Sequence, residues 1–526
     1  MHLWKKAVWS FSAIVCLLTL LPATAGAQGA TTGSLTGVIT DAQGGVLPGA
    51  AVLATHTPTG TTYDGVTDAQ GRYSFLNVRV GPYNVTVSMG GFKPETQLGI
   101  DVRLGEQKKV DFTMQLETVA ETVEVVGVSS VIDSSRAGTA DNVSTQAVEN
   151  LPTISRNLVD IARTSPYFNP TGLNEDPLAL SVAGRNNRYN NVQIDGAVNN
   201  DLFGLAASGT PGGQTEAQPI SLDAIQELQL VVSPYDVRQG GFSGGGINAI
   251  TRSGSNQFKG TAYFFGRNQD WVGESPTGTK VGQFKDQQFG GSVGGRIVEN
   301  RAFFFGNVDW GRRDNPSGVS VSGSGQQFGR EAEIDRFVNI LQNRYGYNAG
   351  GKEEFIRTVN SDKIFVRTDF NVAQQHQLII RHNYLDGLND IGRPTATQYF
   401  MPDNFYRIAN KTNSSVVQLN STFGTAVNEA RFTFQRVRDR RAGQPFEARP
   451  FPMVTVNLSS GSIRAGRENF STANELDQDI YEITNDLTWL SGKHAITIGT
   501  HNEFFKFRNL FIRDNFGQYG FDNLDL

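Results

Sequence analysis

The sequence predicts a mainly β protein in three parts: a small β-sandwich, a mixed α/β unit, and a partial transmembrane antiparallel β-barrel. Three observations predict it. Apolar and polar residues alternate with period two in many short segments; Gly supplies 58 of the 526 residues alongside 34 Phe; and in the second half short links between segments alternate with long polar ones. There is no collagen period, and the aromatic content is too high for a disordered chain. The 46 basic residues against 51 acidic ones, a net charge of −5, give no electrostatic footprint for nucleic acid, so a nucleic-acid partner is not expected.

Residues 1–27 read as a secretory signal peptide. Lys5 and Lys6 precede an apolar stretch from Ala7 to Leu21, and Ala25-Gly26-Ala27 offers a small-residue cleavage site. The stretch is short for a membrane helix, and no second stretch of that length follows. The one cysteine, Cys16, lies inside it, preceded by Ile14-Val15 where lipoprotein processing would want a small residue. A secreted mature chain without cysteine has to be stabilised by sheet closure and packing.

Residues 33–116 read as a sandwich of short antiparallel strands. Ser34 to Thr40, Leu47 to Leu53, Arg72 to Phe75, Tyr83 to Met89 and Val110 to Leu116 alternate, and the turns Asp41-Ala42-Gln43-Gly44-Gly45 and Thr67-Asp68-Ala69-Gln70-Gly71 separate them. Gly37-Val38 with Pro48-Gly49-Ala50, Thr67-Asp68 with Gly71, and Gly81-Pro82-Tyr83 resemble the carboxypeptidase regulatory-like domain, a transthyretin-like sandwich of the carbohydrate-binding-like fold group. The resemblance implies a module without a zinc site, and His56, the one histidine there, offers no metal-ligand spacing.

Residues 117–130 form a tether whose Val123, Glu124, Val125 and Val126 are strand-prone and, left exposed, able to join another protein's sheet edge. They resemble a TonB box, which implies contact with the energy transducer TonB; the alternative is a terminal strand of the sandwich. In residues 131–255, Leu151-Pro152, Asn157 to Ile161, Val182-Ala183-Gly184-Arg185 and Val192 to Gly196 resemble the plug of TonB-dependent receptors. Ile220 to Leu228 has helix-compatible apolar spacing, and Leu230-Val231-Val232 reads as a strand. Tyr235 to Gly254 resembles the plug's closing signature, a glycine-rich turn entering Ile247-Asn248-Ala249-Ile250-Thr251. A phosphate-cradling loop would instead lead into a helix with Lys and Ser or Thr. Glycine there serves close backbone crossings and positive φ.

From residue 256 nine segments alternate as lipid-facing strands do: Thr261 to Arg267, Gln288 to Ile297, Ala302 to Trp310, Lys363 to Asn371, Gln377 to Tyr384, Ser415 to Phe423, Glu429 to Val437, Ile480 to Leu490 and His494 to Phe504. In one of them Ile364, Val366, Thr368 and Phe370 share the face assigned to lipid, and Lys363, Arg367, Asp369 and Asn371 the face assigned to the lumen. Short links at 298–301, 373–376, 424–428 and 491–493 alternate with long gaps near 311–361, 386–412 and 438–479, as periplasmic turns alternate with outer loops. Plugged barrels close at about 22 strands, so nine lead to the expectation that the chain stops within the barrel.

The order of these parts resembles the Oar-like, OmpA-related branch of TonB-dependent receptors. The resemblance implies a Gram-negative outer-membrane transporter with its N-terminal domain in the periplasm, partnered by TonB, by outer-membrane lipid and by an extracellular ligand, carbohydrate or protein among the candidates. It implies no cofactor, no metal and no catalytic residues. His2, His56, His376, His382, His494 and His501 are scattered, with no His-Glu-x-x-His and no nucleophile motif. The rival reading is an outer-membrane adhesin or structural anchor whose sandwich binds glycan or protein. Tyr399 and Phe400, in a long gap, fit loop packing better than sugar stacking.

Overall fold

The computed structural model describes residues 31–117, 123–126 and 138–525, less 152, 154, 172–177, 235, 275–277, 279–281, 322–325, 353–354, 393, 444–449 and 492–493. Residues 1–27, read as a signal peptide, and with them Cys16, lie outside the described residues, as do Pro152 and Tyr235 of the plug motifs.

Alternating strands bounded by Gly and Asp turns build the sandwich. One sheet holds β1 (Gly33–Asp41) between β4 (Arg72–Val78) and β7 (Gln107–Lys109), with β8 (Phe112–Met114) also on β1. The other runs β3 (Thr62–Val66), β2 (Ala51–His56), β5 (Gly81–Ser88), β6 (Glu95–Val102) and β9 (Val123–Val126). Leu35, Ile39, Val52, Tyr83, Val85 and Phe112 lie in the core between them. The segment from Leu47 to Ala50, expected to be strand, is a turn: Gly49 takes φ +78° and Ala50 donates to the Thr67 hydroxyl at 2.9 Å, so pairing begins only at Ala51.

The plug is a five-stranded sheet ordered β10 (Gly138–Ser144), β15 (Ile225–Pro234), β16 (Gly246–Thr251), β13 (Asn191–Ile194), β14 (Ala197–Val198), beside the hairpin β11 (Phe168–Pro170) and β12 (Leu180–Val182). The Ile247 to Thr251 strand is central and buried along its length. The helix-like spacing of Ile220 to Leu228 yields only a single 3-10 turn, Leu222–Ala224. Ile225 already enters β15, because that segment is claimed by β10 and β16 on its two edges. The glycine turn is needed where the backbone passes β12: a side chain at Gly245 would collide with Val182, and one at Gly244 with Tyr189 and Asn190.

All nine alternating segments pair in sequence as one antiparallel sheet: Lys259–Asn268, Lys285–Val298, Ala302–Pro316, Ile356–Ala373, His376–Ile391, Tyr406–Phe423, Ala426–Gly443, Asn474–Ser491 and His494–Phe511. Among the described residues the sheet does not close. Lys363, Arg367 and Asp369 are buried on the inner face against the plug; Ile364 and Val366 point outward and are each 46% exposed. Several strands run well past the apolar band, through Arg312 and Asp314, Asp386, and Arg438 to Arg441, so the connecting loops are shorter than the polar gaps in the sequence suggest.

Those loops do not hang separately. Helix Glu331–Tyr345 presents Ile334, Phe337 and Leu341 to a mixed sheet of Gln398–Phe400, Ser462–Ala465, Met453–Asn457 and Gln518–Phe521. Three loops and the segment after the ninth strand thus share one hydrophobic core, with Tyr399 buried in it. We refer to this body as the cap.

Candidate functional site at the junction of three units

The short-turn end of the barrel carries the sandwich. Between β4 and β5 the chain projects Arg79, whose Nη2 donates to Asp369 Oδ1 at 3.2 Å. Asp369 is fully buried and also accepts two bonds from Arg367, each 2.9 Å. The same Arg367 donates to the Thr251 hydroxyl at 2.9 Å and lies 3.4 Å from Asp195 Oδ1. Asp195 occupies the left-handed region (φ 48°) with Gly196 (φ 70°) in the turn joining β13 to β14. There its carboxylate also accepts from the Thr251 backbone and hydroxyl, both at 2.8 Å, and pairs with Arg381 Nε at 3.0 Å. A continuous run of buried charge therefore links sandwich, barrel wall and plug. Removing one partner of a buried ion pair leaves an uncompensated charge, so separating these units would be costly.

Polar bonds complete the seam. Leu104 N–H donates to Glu227 Oε2 at 3.1 Å, Asn142 Nδ2 donates to Glu227 Oε1 at 2.7 Å, and Asn371 Nδ2 donates to Thr61 Oγ1 at 3.0 Å. Burial pushes the Glu227 carboxyl up to about 7, outweighing the two donors that favour its charge. A cavity of about 270 Å³ lies at this junction, lined among others by Arg79, Arg367, Arg381, His56, Gln377 and Asn420. His56 donates to or accepts from Thr59 at 2.7 Å, and desolvation first, with the Arg79 charge second, lowers it to about 3, so it is a neutral, structural histidine.

At the opposite end the plug's apex is tied to the wall. Glu216 is bonded by Arg313 and, at 3.1 Å, by Arg357; Gln435 donates to Asn199 at 3.0 Å, and Gln478 to Asp201 at 3.0 Å. Beyond it Asp403 joins the three cap loops: it accepts from the Tyr347 hydroxyl of the first and from Gly466 N–H of the third, at 2.6 Å.

The four tether residues are found on the sandwich. Val123 to Val126 form β9, parallel to β6, with Glu124 opposite Thr96 and Val125 opposite Gln97. This is the position of a terminal sandwich strand, at the edge of its sheet. The rest of the tether, 118–122 and 127–130, lies outside the described residues. Sequence reasoning missed the ion run altogether. Arg367 and Asp369 were recognisable only as polar lumen positions and Arg381 only as part of an alternating segment, and nothing local marks Asp195 as their partner 172 residues from Arg367. Among the described residues no group of three metal-ligating side chains converges.

Comparison with known proteins defines the class. Residues 34–115 match the carboxypeptidase regulatory-like domain, and residues 250–327 and 342–525 match an outer membrane beta barrel domain. The fold is similar to that of the outer membrane transporter YddB from Escherichia coli, with a TM-score of 0.50 at 14% identity over 70% of this chain and 48% of that one. The chain is thus a Gram-negative outer-membrane β-barrel protein with an N-terminal regulatory-like sandwich. More particularly, it is a homologue of the TonB-dependent transporter Oar of Myxococcus xanthus, 28% identical over 262 residues, which are 46% of this chain and 23% of Oar. The match spans less than half the length of each of these two relatives.

Proposed function

We propose that this chain acts in TonB-dependent transport of a ligand across the outer membrane: the cap end meets the ligand, and TonB grips Val123, Glu124, Val125 and Val126 from the periplasm. The observation that carries the reading is the placement of the plug between the two. It is tied at its apex to the wall below the cap and at its base to the sandwich that bears β9. An edge strand keeps one row of backbone donors and acceptors available for strand addition, the mode a pulling protein needs. Carbohydrate, peptide and protein are the candidate ligands, and the fold relation of the sandwich to carbohydrate-binding modules favours the first.

The test is Val125→Pro in the full-length protein, with the purified periplasmic domain of TonB as probe. Proline has no N–H and is tolerated poorly within a paired strand. Binding should weaken at least tenfold while the barrel still resists unfolding in unheated detergent gels. Undiminished binding sinks the assignment of these four residues. Uptake or export should collapse in the variant; cell adhesion that persists in it would favour the adhesin reading instead.

A further inference from the structure

The plug and the sandwich are held to the barrel by different forces. Phe305 and Phe365 of the wall belong to one buried apolar cluster with plug residues such as Leu222, Leu230 and Ile247. The sandwich's own cluster, built on Leu35, Val85 and Phe112, includes no residue of plug or wall. Among the described residues no apolar cluster crosses the joint between the sandwich and the rest. Apolar burial is what makes two units cohere, and units joined by a polar interface move apart by default.

What crosses the joint comes from three loops at one end of the sandwich. The β2–β3 loop meets the short-turn end of the barrel: Asn256 N–H donates to Pro58 O at 2.9 Å, and Asn371 Nδ2 to Thr61 Oγ1 at 3.0 Å. Gly60, at φ 65°, suits this close approach, since a side chain on it would meet Asn300. The β6–β7 loop lays Leu104 on the plug, fully buried, its N–H on Glu227 and its carbonyl accepting from Asn142 at 3.0 Å. The β4–β5 loop accepts Gln226 Nε2 on Val80 O at 3.3 Å and sends Arg79 to Asp369. That ion pair can part at limited cost: Arg79 passes into water, and Asp369 keeps both bonds from Arg367. Withdrawing the plug would instead strip Asp195 of Arg367 and Arg381 together, leaving buried charges unpaired.

These loops also close a space. The cavity of about 270 Å³ lies along the seam between plug and wall, lined by Thr251 of the one and by Ile379 and Gln418 of the other, and Pro58, Arg79 and Pro82 of the sandwich cover its short-turn side. We infer that the sandwich is a detachable stopper on the periplasmic end of this seam, which comes away whole at its polar joint while the plug is still seated. Because β9 belongs to the sandwich's sheet, a pull on it loads this joint first and the plug second. The stopper's purpose rests on the transport reading; the order of opening does not.

The experiment is thiol labelling of the full-length protein in mild detergent with a water-soluble maleimide at rising urea. A Cys16→Ser background leaves each single reporter as the only thiol. Leu104→Cys reports the joint, Ile379→Cys the cavity, Val85→Cys the sandwich core and Ile247→Cys the plug, all four buried. Positions 104 and 379 should label together at the lowest urea, with 85 and 247 still protected, as expected of local opening below global unfolding. Adding Arg79→Gln should speed labelling at 104 and 379 at least tenfold without urea and leave 85 and 247 unchanged. Position 379 reports the opening should Leu104→Cys fail to fold. Labelling of 104 or 379 only in step with 247 overturns the inference, because the seam then stays shut until the plug goes. Labelling in step with 85 overturns it too, because the sandwich then unfolds rather than detaches, and so does an Arg79→Gln variant with unchanged rates. Neither TonB nor ligand enters the measurement, so a failure of the TonB assignment shows separately.

Discussion

The sandwich and the nine-stranded sheet use the same period-two alternation in opposite senses. In the sandwich the buried set is Leu35, Val52, Val85 and Phe112, and the faces turned outward carry residues such as Arg72 and Lys109. In the large sheet the buried set includes Lys363, Arg367, Asp369 and Gln418, and the outward set includes Ile364, Val366, Val417 and Phe432. Alternation announces a strand with two unlike faces; it does not say which face meets the solvent. That depends on what each face is given to pack against. Two apolar faces can close on each other, whereas a polar inner face needs a polar plug and leaves its apolar partner for lipid.

The comparison can be broken most forcefully at Asp369. Asp369→Ala strips Arg367 and Arg79 of their shared buried carboxylate and is expected to cost about 3–5 kcal/mol. The readout is the temperature at which the full-length protein loses its compact migration on detergent gels. A neutral result would mean that the inner face is wet and its ions dispensable.

Next in size is an outward substitution in the sheet. Val366→Arg places a guanidinium in the apolar band and should destabilise by about 2–4 kcal/mol in lipid vesicles, measured by chemical denaturation. If it proves harmless, the outward face does not meet hydrocarbon.

The seam supplies a graded effect. The Glu227 carboxyl lies at about 7 in the folded protein against an ordinary 4.5, so the folded state holds an extra proton between those values. Its contribution is complete below about pH 4.5 and declines as the pH rises through 7, at up to about 1.4 kcal/mol per pH unit. Thermal melts of wild type between pH 4.5 and 8 should show this slope, and Glu227→Gln should flatten it.

The smallest effect belongs to the sandwich's own outer face. Leu53 is exposed, and Leu53→Arg should shift stability by no more than about 0.5 kcal/mol. Set beside Val366→Arg, this pair measures directly how differently the two apolar exposures are solvated.

Much of the architecture was legible because strand alternation is a local signal. All nine barrel segments and the central Ile247 to Thr251 strand follow from it. The helix expected over Ile220 to Leu228 failed because apolar spacing was read without the neighbours: β10 and β16 draw Ile225 onward into a sheet. The cap was hidden for a related reason. The spacing of Ile334, Phe337 and Leu341 marks a helix, but its partners Tyr399, Val456 and Ile463 come from two other loops.

Of the candidate site, the sequence identified Val123 to Val126 as strand-forming and left open whether they form a free tether or a terminal strand of the sandwich; the pairing with β6 gives the second position. By itself the sequence determined the nine barrel strands and which face of each is apolar, since both depend on neighbours two positions away. Only the tertiary structure decided the pairing of Asp195 with Arg367 and Arg381, of Arg79 with Asp369, and of Asp403 with Tyr347. A buried ion or carboxyl is stable only beside partners brought from distant segments, and no local pattern carries that information.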